Sequence, residues 1–415
     1  MPYRIFDIEV THPLTSITIS QNDTGVAVIL RYKGRPIDFW MQPLRENSEL
    51  PFRGLSQRMD GEVSARLISE YIREELLIKS KHTRLPSVTI AICTKDHPNQ
   101  LNRCLKSLGQ IQPPIFGSPP FKDILVVDNA SSDYRTRELV ASVPDVRYVF
   151  EPKPGLNFAR NKALQEAKGE LLAFIDDDVV VDHRWLDGLM EAWVENPDAA
   201  AFTGLVLPYE LDTEAQIIFE RRGGFRRGFD KIRYGRSLPG NLLYPCGAGI
   251  FGAGANMAFK REILLNLGGF DNALDTGAYL PGGGDLDIFY RVIRAGYPLV
   301  YEPLYMVFHQ HRREIKALRH QYRKSWGVGF MAFIVKCFKA DPPQRAKITL
   351  LVIWWFLHQL WHLRKSFQGR DALPPNLILA ELAGGLFGLF GAYQQSVKRT
   401  EKIKQKFLAD EVPAL

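Results

Sequence analysis

Cysteine is scarce in this chain. Cys93, Cys104, Cys246 and Cys337 are spread over 415 residues with no Cys-x-x-Cys pair and no Cys/His spacing suited to zinc. That excludes a disulfide-stapled scaffold and a structural zinc module, and a reducing compartment is expected. The opening MPYRIFDIEVTHPL has no apolar core of the kind a secretion signal needs, so no export signal is expected. Uninterrupted apolar runs of about 20 residues, the length of a spanning helix, are also missing. Residues 348–363 (ITLLVIWWFLHQLWHL) are shorter and hold two histidines, and residues 376–393 (NLILAELAGGLFGLFGAY) carry Glu381 and four glycines. There are no internal repeats and no low-complexity tract. The net charge of +7 is small but unevenly placed: from Arg312 to Leu415, 18 Lys and Arg face 7 Asp and Glu, a surplus of 11, which leaves −4 on the rest. Both apolar stretches are flanked by basic residues (HLRKSFQGR, SVKRTEKIKQK). This pattern fits helices lying in the plane of an anionic membrane surface, with packing onto the rest of the protein as the alternative. A cytoplasmic protein, peripheral on the cytoplasmic face of the membrane, is expected, and nucleic acid is not an expected partner.

Three regions follow from the patterning: residues 1–85, 86–313 and 314–415. In the first, SITIS, VAVILRY and IDFWMQ are β-rich and separated by the turn-forming QNDTG and KGRP, which predicts a small antiparallel meander. Residues 64–80 have helical spacing, with Leu67, Ile68, Tyr71, Ile72, Leu76 and Leu77 on one side, and KHTRLP reads as a linker. This unit could bind an acceptor, support an oligomer or brace the rest. From Pro86 the pattern changes. The apolar runs SVTIAICT, DILVVD, VRYVFE and LLAFID alternate with the helical NQLNRCLKSLGQI, DYRTRELVASV and LNFARNKALQEA. That alternation predicts an α/β fold, a doubly wound, mostly parallel sheet, whose ligand lies at the C-terminal ends of the strands. Residues 208–245 are polar, glycine-rich and basic, and are expected to form a surface loop able to close over a ligand.

The fourth apolar run ends in three carboxylates, Asp176, Asp177 and Asp178. Like charges at a buried strand end repel, and buried carboxylates are costly unless paired or holding a cation. On extended backbone Asp176 and Asp178 point the same way. Two such carboxylates suit Mn²⁺ or Mg²⁺ with a phosphate-bearing ligand. Acidic pairs at strand ends also serve as helix caps, and Asp176, Asp178 and Val180 satisfy the D-x-D-x-[TV] motif of haloacid dehalogenase-type phosphatases. Those enzymes carry it on the first strand, whereas here three strands come before it. His309 and His311 in FHQHRR close another strand-like run. His309 is the stronger candidate for a third metal ligand, His311 the weaker.

The ordered set CTKDHPNQLNRCLKSL, VVDNASSD, PGLNFARNKAL, FIDDDV, GAGANMAFKRE and GGFD…GGGDLDIFYRVIRAGY resembles glycosyltransferase family 2, with its GT-A fold, over residues 86–313. The resemblance implies that Thr94 and Asp128 face the base and ribose of a nucleotide, with Asp96 as a further candidate. It implies that Arg160 and Asn161 shape the nucleotide pocket, and that Asp176 and Asp178 meet the ribose and a metal-bound diphosphate, with Asp178 the better metal ligand and Asp177 facing away. The GGGDLD segment corresponds to the family's acidic acceptor motif, often Glu-Asp. Gly284 stands where that Glu would be, and Asp285 keeps the Asp and becomes the implied general base. Asp287 is expected to cap or pair within its helix. Gln321, Arg323 and Trp326 depart in spacing from the Q-x-x-R-W motif of processive synthases, which favours single addition. The resemblance thus implies an inverting, metal-dependent transfer of sugar from a nucleoside diphosphate sugar, of UDP or dTDP type, to a hydroxyl acceptor. The basic C-terminal region points to an acceptor carried on a lipid, and the resemblance implies a polysaccharide precursor as the setting. A nucleotidylyltransferase of similar fold and a silent nucleotide-binding scaffold are the alternatives.

Overall fold

The computed structural model describes every residue except 1, 13–19, 21, 45–60, 78–83, 116, 118, 120, 121, 276, 278 and 412–415. Strands β1 (Tyr3–Glu9), β2 (Gly25–Tyr32) and β3 (Arg35–Pro43) form a three-stranded sheet in that order. Lys33 and Gly34 close the β2–β3 hairpin with φ of 49° and 80°. Positive φ at both loop residues is the two-residue turn that matches strand twist. β1 pairs parallel to β2, so the sheet is mixed and not the expected antiparallel meander. Within QNDTG, Thr24 N–H bonds the Pro2 carbonyl at 3.0 Å, back at the start of β1. Of SITIS only Ser20 is among the described residues. Helix α1 (Glu62–Leu77) sets Val63 and Leu67 on the sheet against Val28, Leu30, Ile37 and Trp40. Ile68, Tyr71 and Ile72, expected on its buried side, are exposed. Residues 78–80 of the expected helix, and 81–83 of the expected linker, lie outside the described residues.

The central region alternates as its patterning predicts: β4 (Val88–Thr94), α2 (Pro98–Leu108), β5 (Lys122–Asn129), α3 (Arg135–Ala141), β6 (Val146–Glu151), α4 (Leu156–Glu166) and β7 (Leu171–Asp176). Beyond it come β8 (Val179–Val181), α5 (Trp185–Glu195), β9 (Ala201–Pro208), α6 (Glu214–Arg221), β10 (Ile232–Tyr234), β11 (Asn256–Lys260), α7 (Arg261–Asn266), α8 (Gly284–Arg294) and β12 (Leu299–His309). All nine strands join one sheet in the order β10-β12-β9-β11-β7-β4-β5-β6, with β8 on β12. The half β7-β4-β5-β6 is parallel. In the other half β11 runs antiparallel to both neighbours, while β12 and β9 are parallel. The fold is α/β, with helices on a sheet that is parallel on one side and mixed on the other.

Residues 208–245 are not one loop. Thr213 and Gln216 form a reciprocal capping box that starts α6, whose Ile217, Ile218 and Phe219 are buried, and β10 pairs with β12. Three adjacent apolar residues with a cap outweigh the surrounding glycines and arginines.

The C-terminal region is helical: α9 (Ile315–Gln321), a wider π-type stretch over Tyr322–Gly329, α10 (Phe330–Ala340), α11 (Arg345–Phe367), α12 (Pro375–Phe387), a second π-type stretch over Gly388–Ala392 and α13 (Tyr393–Glu411). Glycines let α12 lie against the first π-type stretch. A Cβ on Gly384 would stand 1.9 Å from the Arg323 carbonyl oxygen, and one on Gly327 would stand 2.6 Å from that of Glu381. By length and composition Pro375–Leu408, 34 residues, could cross a membrane, but Phe390 (φ −99°, ψ 69°) and Gly391 (φ 87°, ψ −1°) are not helical, so two helices meet there at a kink. Leu377, Ile378 and Ala380 of α12 are buried against protein. On α11, by contrast, Leu350, Ile353, Trp354, Leu357, Leu360 and Trp361 are all at least half exposed. Their spacing of three or four residues makes one outward apolar face.

Candidate active site

The parallel strands bring the expected residues to one sheet edge. Thr94 is in register with Asp128, and Cys93 with Asp176. Asp176 ends β7, and the short β8 then pairs His309 with Val179, so the end of β12 lies beside the three aspartates. Gln310 N–H bonds the Asp178 carbonyl at 3.1 Å and holds that approach. Asp176, Asp178 and His309 offer three donor atoms within 4.8 Å of one another.

The protons on this cluster can be assigned by hydrogen bonding. Glu220, on α6, is fully buried and accepts from His311 Nε2 at 2.7 Å. Burial alone would raise its pKa, but the bonds from His311 and the charge of Arg226 outweigh that and lower it. An ionised Glu220 only accepts, so His311 carries its proton on Nε2. Where that is the only proton on His311, its Nδ1 lone pair faces His309 Nδ1 at 3.1 Å and accepts the proton there. Burial pushes His309 down to about 4, so it is neutral at pH 7, and its Nε2 lone pair remains, 3.3 Å from Asp178 Oδ1. That Asp178 oxygen is buried and has no hydrogen-bond partner. Two acceptors face each other with nothing between them, an arrangement that a cation would satisfy. An O,O,N donor set with room for further ligands fits Mn²⁺, so the residues present fit the expected metal.

Burial raises Asp176 to about 7, with Asp178 and Asp177 adding to it and Arg160 opposing. Arg160 is buried, with Nη2 4.0 Å from Asp176 and Nη1 3.1 Å from Asp275. Asp285, in the first turn of α8, accepts from Gly254 N–H at 3.0 Å. A Cβ on Gly254 would lie 3.0 Å from Arg160 and 3.1 Å from Asp285, so glycine is what lets the backbone pass between them. Arg160, Asp176, Asp178, Asp285 and His309 all line one open cavity of about 1540 Å³.

The other expected residues are placed differently. Thr94 donates to Asp177 at 2.6 Å, and His97 Nδ1 meets the same oxygen at 3.2 Å, so Asp177 turns away from Asp178 into the base of β4. Asp128 is buried, accepts from Tyr148 at 2.8 Å, and leaves Oδ1 without a partner. Asp96 accepts from Ser132 N–H at 2.7 Å, so it ties the β4 and β5 loops together. Asn161 is not brought to the cavity. Its amide is consumed by Phe270 and Asn272, pinning the segment after α7. Asp287 pairs with Arg291 at 2.8 Å and Lys336 at 2.5 Å, the structural role expected of it.

Three residues escaped the sequence reading. Glu220 lay in a stretch read as loop. Arg227 lines the cavity with no carboxylate within ion-pair distance among the described residues. Asp275 explains Gly284: a Cβ there would stand 2.2 Å from Asp275 Oδ2, which accepts Gly284 N–H at 3.0 Å. The space for a Glu side chain is already filled by this carboxylate, which burial raises to about 6. A second cluster, Glu191, Glu195 and Glu302, also brings three carboxylates together, but Arg35, Arg73 and Lys231 neutralise it.

Comparison with known proteins follows the same lines. The glucosyl-dolichyl phosphate glucuronosyltransferase of Haloferax volcanii is 26% identical over 155 residues, covering 37% of this chain and 46% of that protein. The pre-mycofactocin glycosyltransferase of Mycobacterium tuberculosis is 25% identical over 244 residues, covering 57% of this chain and 46% of that protein. Succinoglycan biosynthesis protein ExoM of Rhizobium meliloti is 29% identical over 204 residues, covering 47% and 62%. The chain thus spans about half the length of the curated relatives it matches. Among solved structures, a mannosyltransferase from Pyrobaculum calidifontis in complex with GDP-Man and Mn²⁺ aligns over 83% of this chain and 95% of its own, at 20% identity and a TM-score of 0.45. Residues 89–266 match the model of glycosyl transferase family 2. They hold Thr94, Asp128, Asp176 and Asp178, while Asp275, Asp285 and His309 lie beyond them, and over that span the chain carries a family 2 glycosyl transferase domain.

Proposed function

We propose that this protein is an inverting, divalent-metal-dependent glycosyltransferase. It moves a sugar from a nucleoside diphosphate sugar, of UDP or dTDP type, to a hydroxyl on a lipid-linked or polysaccharide precursor at the cytoplasmic face of a membrane. The observation that carries this reading is the meeting of Asp176, Asp178 and His309 with Asp285 on the wall of one cavity. Its volume of about 1540 Å³ exceeds the roughly 300–1,000 Å³ of a single-ligand site and leaves room for donor and acceptor together. A divalent cation, when bound, supplies the positive charge against which a nucleoside diphosphate leaves. Asp176, Asp178 and His309 would hold that cation, with Asp178 the principal ligand. Thr94, Asp96 and Asp128 would face the base and ribose from the ends of β4 and β5. Arg160 positions Asp176. Asp285 takes the proton of the acceptor hydroxyl as its oxygen attacks the anomeric carbon and the bond to the diphosphate breaks, a single displacement with inversion. The names of the Haloferax volcanii and Rhizobium meliloti relatives, one for a dolichyl phosphate and one for succinoglycan, support an acceptor on a lipid or a growing polysaccharide.

Thermal unfolding with UDP, dTDP and GDP, each with and without Mn²⁺, tests the donor site. The expected result is a metal-dependent rise with one base, by mass action, that is lost in Asp178→Asn. A folded sample that responds to none of them overturns the reading. Asp285→Asn is expected to keep the nucleotide response and to lower transfer by about 100-fold or more. Unchanged transfer would remove Asp285 from the role of base.

A further inference from the structure

The same cavity has a second half that the donor chemistry does not use. Beyond His311 its wall is built from Arg312, Lys316, Arg319 and Arg323, then from Trp354, Leu379 and Ala383. Positions 316, 319 and 323 are three and four apart, so they fall on one side of α9 and its continuation, and Arg312 lies just before the helix. All four are exposed to the cavity, and among the described residues none has a carboxylate within ion-pair distance. Neighbouring cations do: Arg313 pairs with Glu210, and Arg222 lies 3.6 Å from Glu381. The acidic residues lining this half are Glu314, which is exposed, and Glu381, which burial raises to about 7. The basic row ends where the Arg323 backbone meets Gly384, so cationic and apolar walls are contiguous. From there the cavity wall reaches Trp354, itself part of the exposed apolar face of α11.

Resting on the transferase reading above, we propose that this half is the acceptor site, and that the acceptor is an amphiphile. Its phosphate or diphosphate lies on Lys316, Arg319 and Arg323, and its hydrocarbon chain leaves along Trp354 and Leu379 toward the α11 face. Charge complementarity commits the occupant. A row of unneutralised cations calls for an anion with several oxygens, while the apolar exit selects one carrying a chain. A neutral glycoside would leave the cations without partners. A free phosphate would leave the apolar exit unused.

The test uses the full chain and three probes: decyl phosphate, inorganic phosphate and the neutral decyl maltoside, followed by calorimetric titration below their micellar concentrations. Decyl phosphate is expected to bind at least about tenfold more tightly than either of the others and to weaken with added salt. The variant Lys316→Ala/Arg319→Ala/Arg323→Ala, its folding checked by its unfolding temperature, should lose about tenfold or more for decyl phosphate. Trp354→Ala should narrow the gap between decyl and inorganic phosphate. Equal affinity for decyl and inorganic phosphate overturns the chain exit. Equal affinity for decyl phosphate and decyl maltoside overturns the phosphate site, as does unchanged decyl phosphate binding by the triple variant. Donor binding by the wild type is measured separately. Its failure alongside decyl phosphate binding would defeat the transferase reading and leave this site standing.

Discussion

Replacing Glu220 with Gln tests whether the buried chain Glu220–His311–His309 orients a metal ligand. The substitution keeps shape and removes one charge. An amide could in principle turn its oxygen to His311 and preserve the proton order, but Arg226 prevents it. Arg226 Nη1 donates to Glu220 Oε2, and its Nη2 reaches the Glu220 carbonyl at 3.2 Å. In the variant the amide oxygen must face Arg226, so its NH₂ faces His311 Nε2. His311 then carries its proton on Nδ1, His309 accepts it across the 3.1 Å contact, and His309 Nε2 becomes a donor aimed at Asp178. A cation can bind there only after the order is reversed. Outer-sphere changes of this kind cost about 10- to 100-fold in metal affinity, or about 1.4–2.7 kcal/mol. Mn²⁺ titration by electron paramagnetic resonance at pH 7.5 reads it directly, and ¹⁵N histidine shifts report which ring nitrogen of His309 carries the proton. A folded variant with Mn²⁺ affinity within twofold of wild type would refute the reasoning.

Asp176, raised to about 7, must lose its proton to ligate, so Mn²⁺ affinity should weaken as pH falls below about 7, and by up to about tenfold per unit. The sign for the metal-free protein is opposite. Because the folded pKa lies above the ordinary 3.8, stability should fall as pH rises from about 4 to about 7. Equal Mn²⁺ affinities at pH 6 and pH 8 would contradict both. Arg35→Met strips the bonds of 2.5 Å to Glu191 and 2.7 Å to Glu302, the latter fully buried, and should cost about 3–5 kcal/mol by urea unfolding. A loss below about 1 kcal/mol would mean that Lys231 and Arg73 suffice. Gly384→Ala forces a methyl to within 1.9 Å of a backbone oxygen and should cost about 1–3 kcal/mol, whereas Gly235→Ala enters open space and should be neutral. Equal unfolding temperatures for the two would refute the close approach.

What could be read from the sequence was what local patterning encodes. Each parallel strand is an apolar run and each crossover a helical period, so β4 to β7 and the helices between them follow in order. Asp176 and Asp178 could be found because charge at a buried strand end is costly, and His309 because it closes another such run. Asp275 and Glu220 could not. Their meaning comes from partners far along the chain, 91 residues between Glu220 and His311 and 115 between Arg160 and Asp275, and no period reports such distances. Asn161 failed for the complementary reason. Its motif fixes a position on α4, but side-chain direction depends on the segment packed opposite, and that segment takes both ends of its amide. The parallel register of β1 was hidden because β-rich patterning specifies which face is buried and not the partner or its direction.

The N-terminal sheet, which patterning left with three roles open, has a physical link to the Asp176–Asp178–His309 cluster that favours bracing. Arg226, which ion-pairs with Glu220, stacks on Phe39 of β3 with its guanidinium 4.5 Å from the ring centre. Arg31 of β2 reaches Asp182, just past β8, at 2.7 Å, and Arg35 reaches Glu302 in β12 at 2.7 Å. β8 and β12 are the strands that set His309 beside Asp178. The sheet thus touches the site through three arginines and supplies no group to the cavity wall. Ligands that must hold a cation without help from their own short loops need rotamers locked from behind, and buried arginines, charged at every working pH, do that without competing for protons.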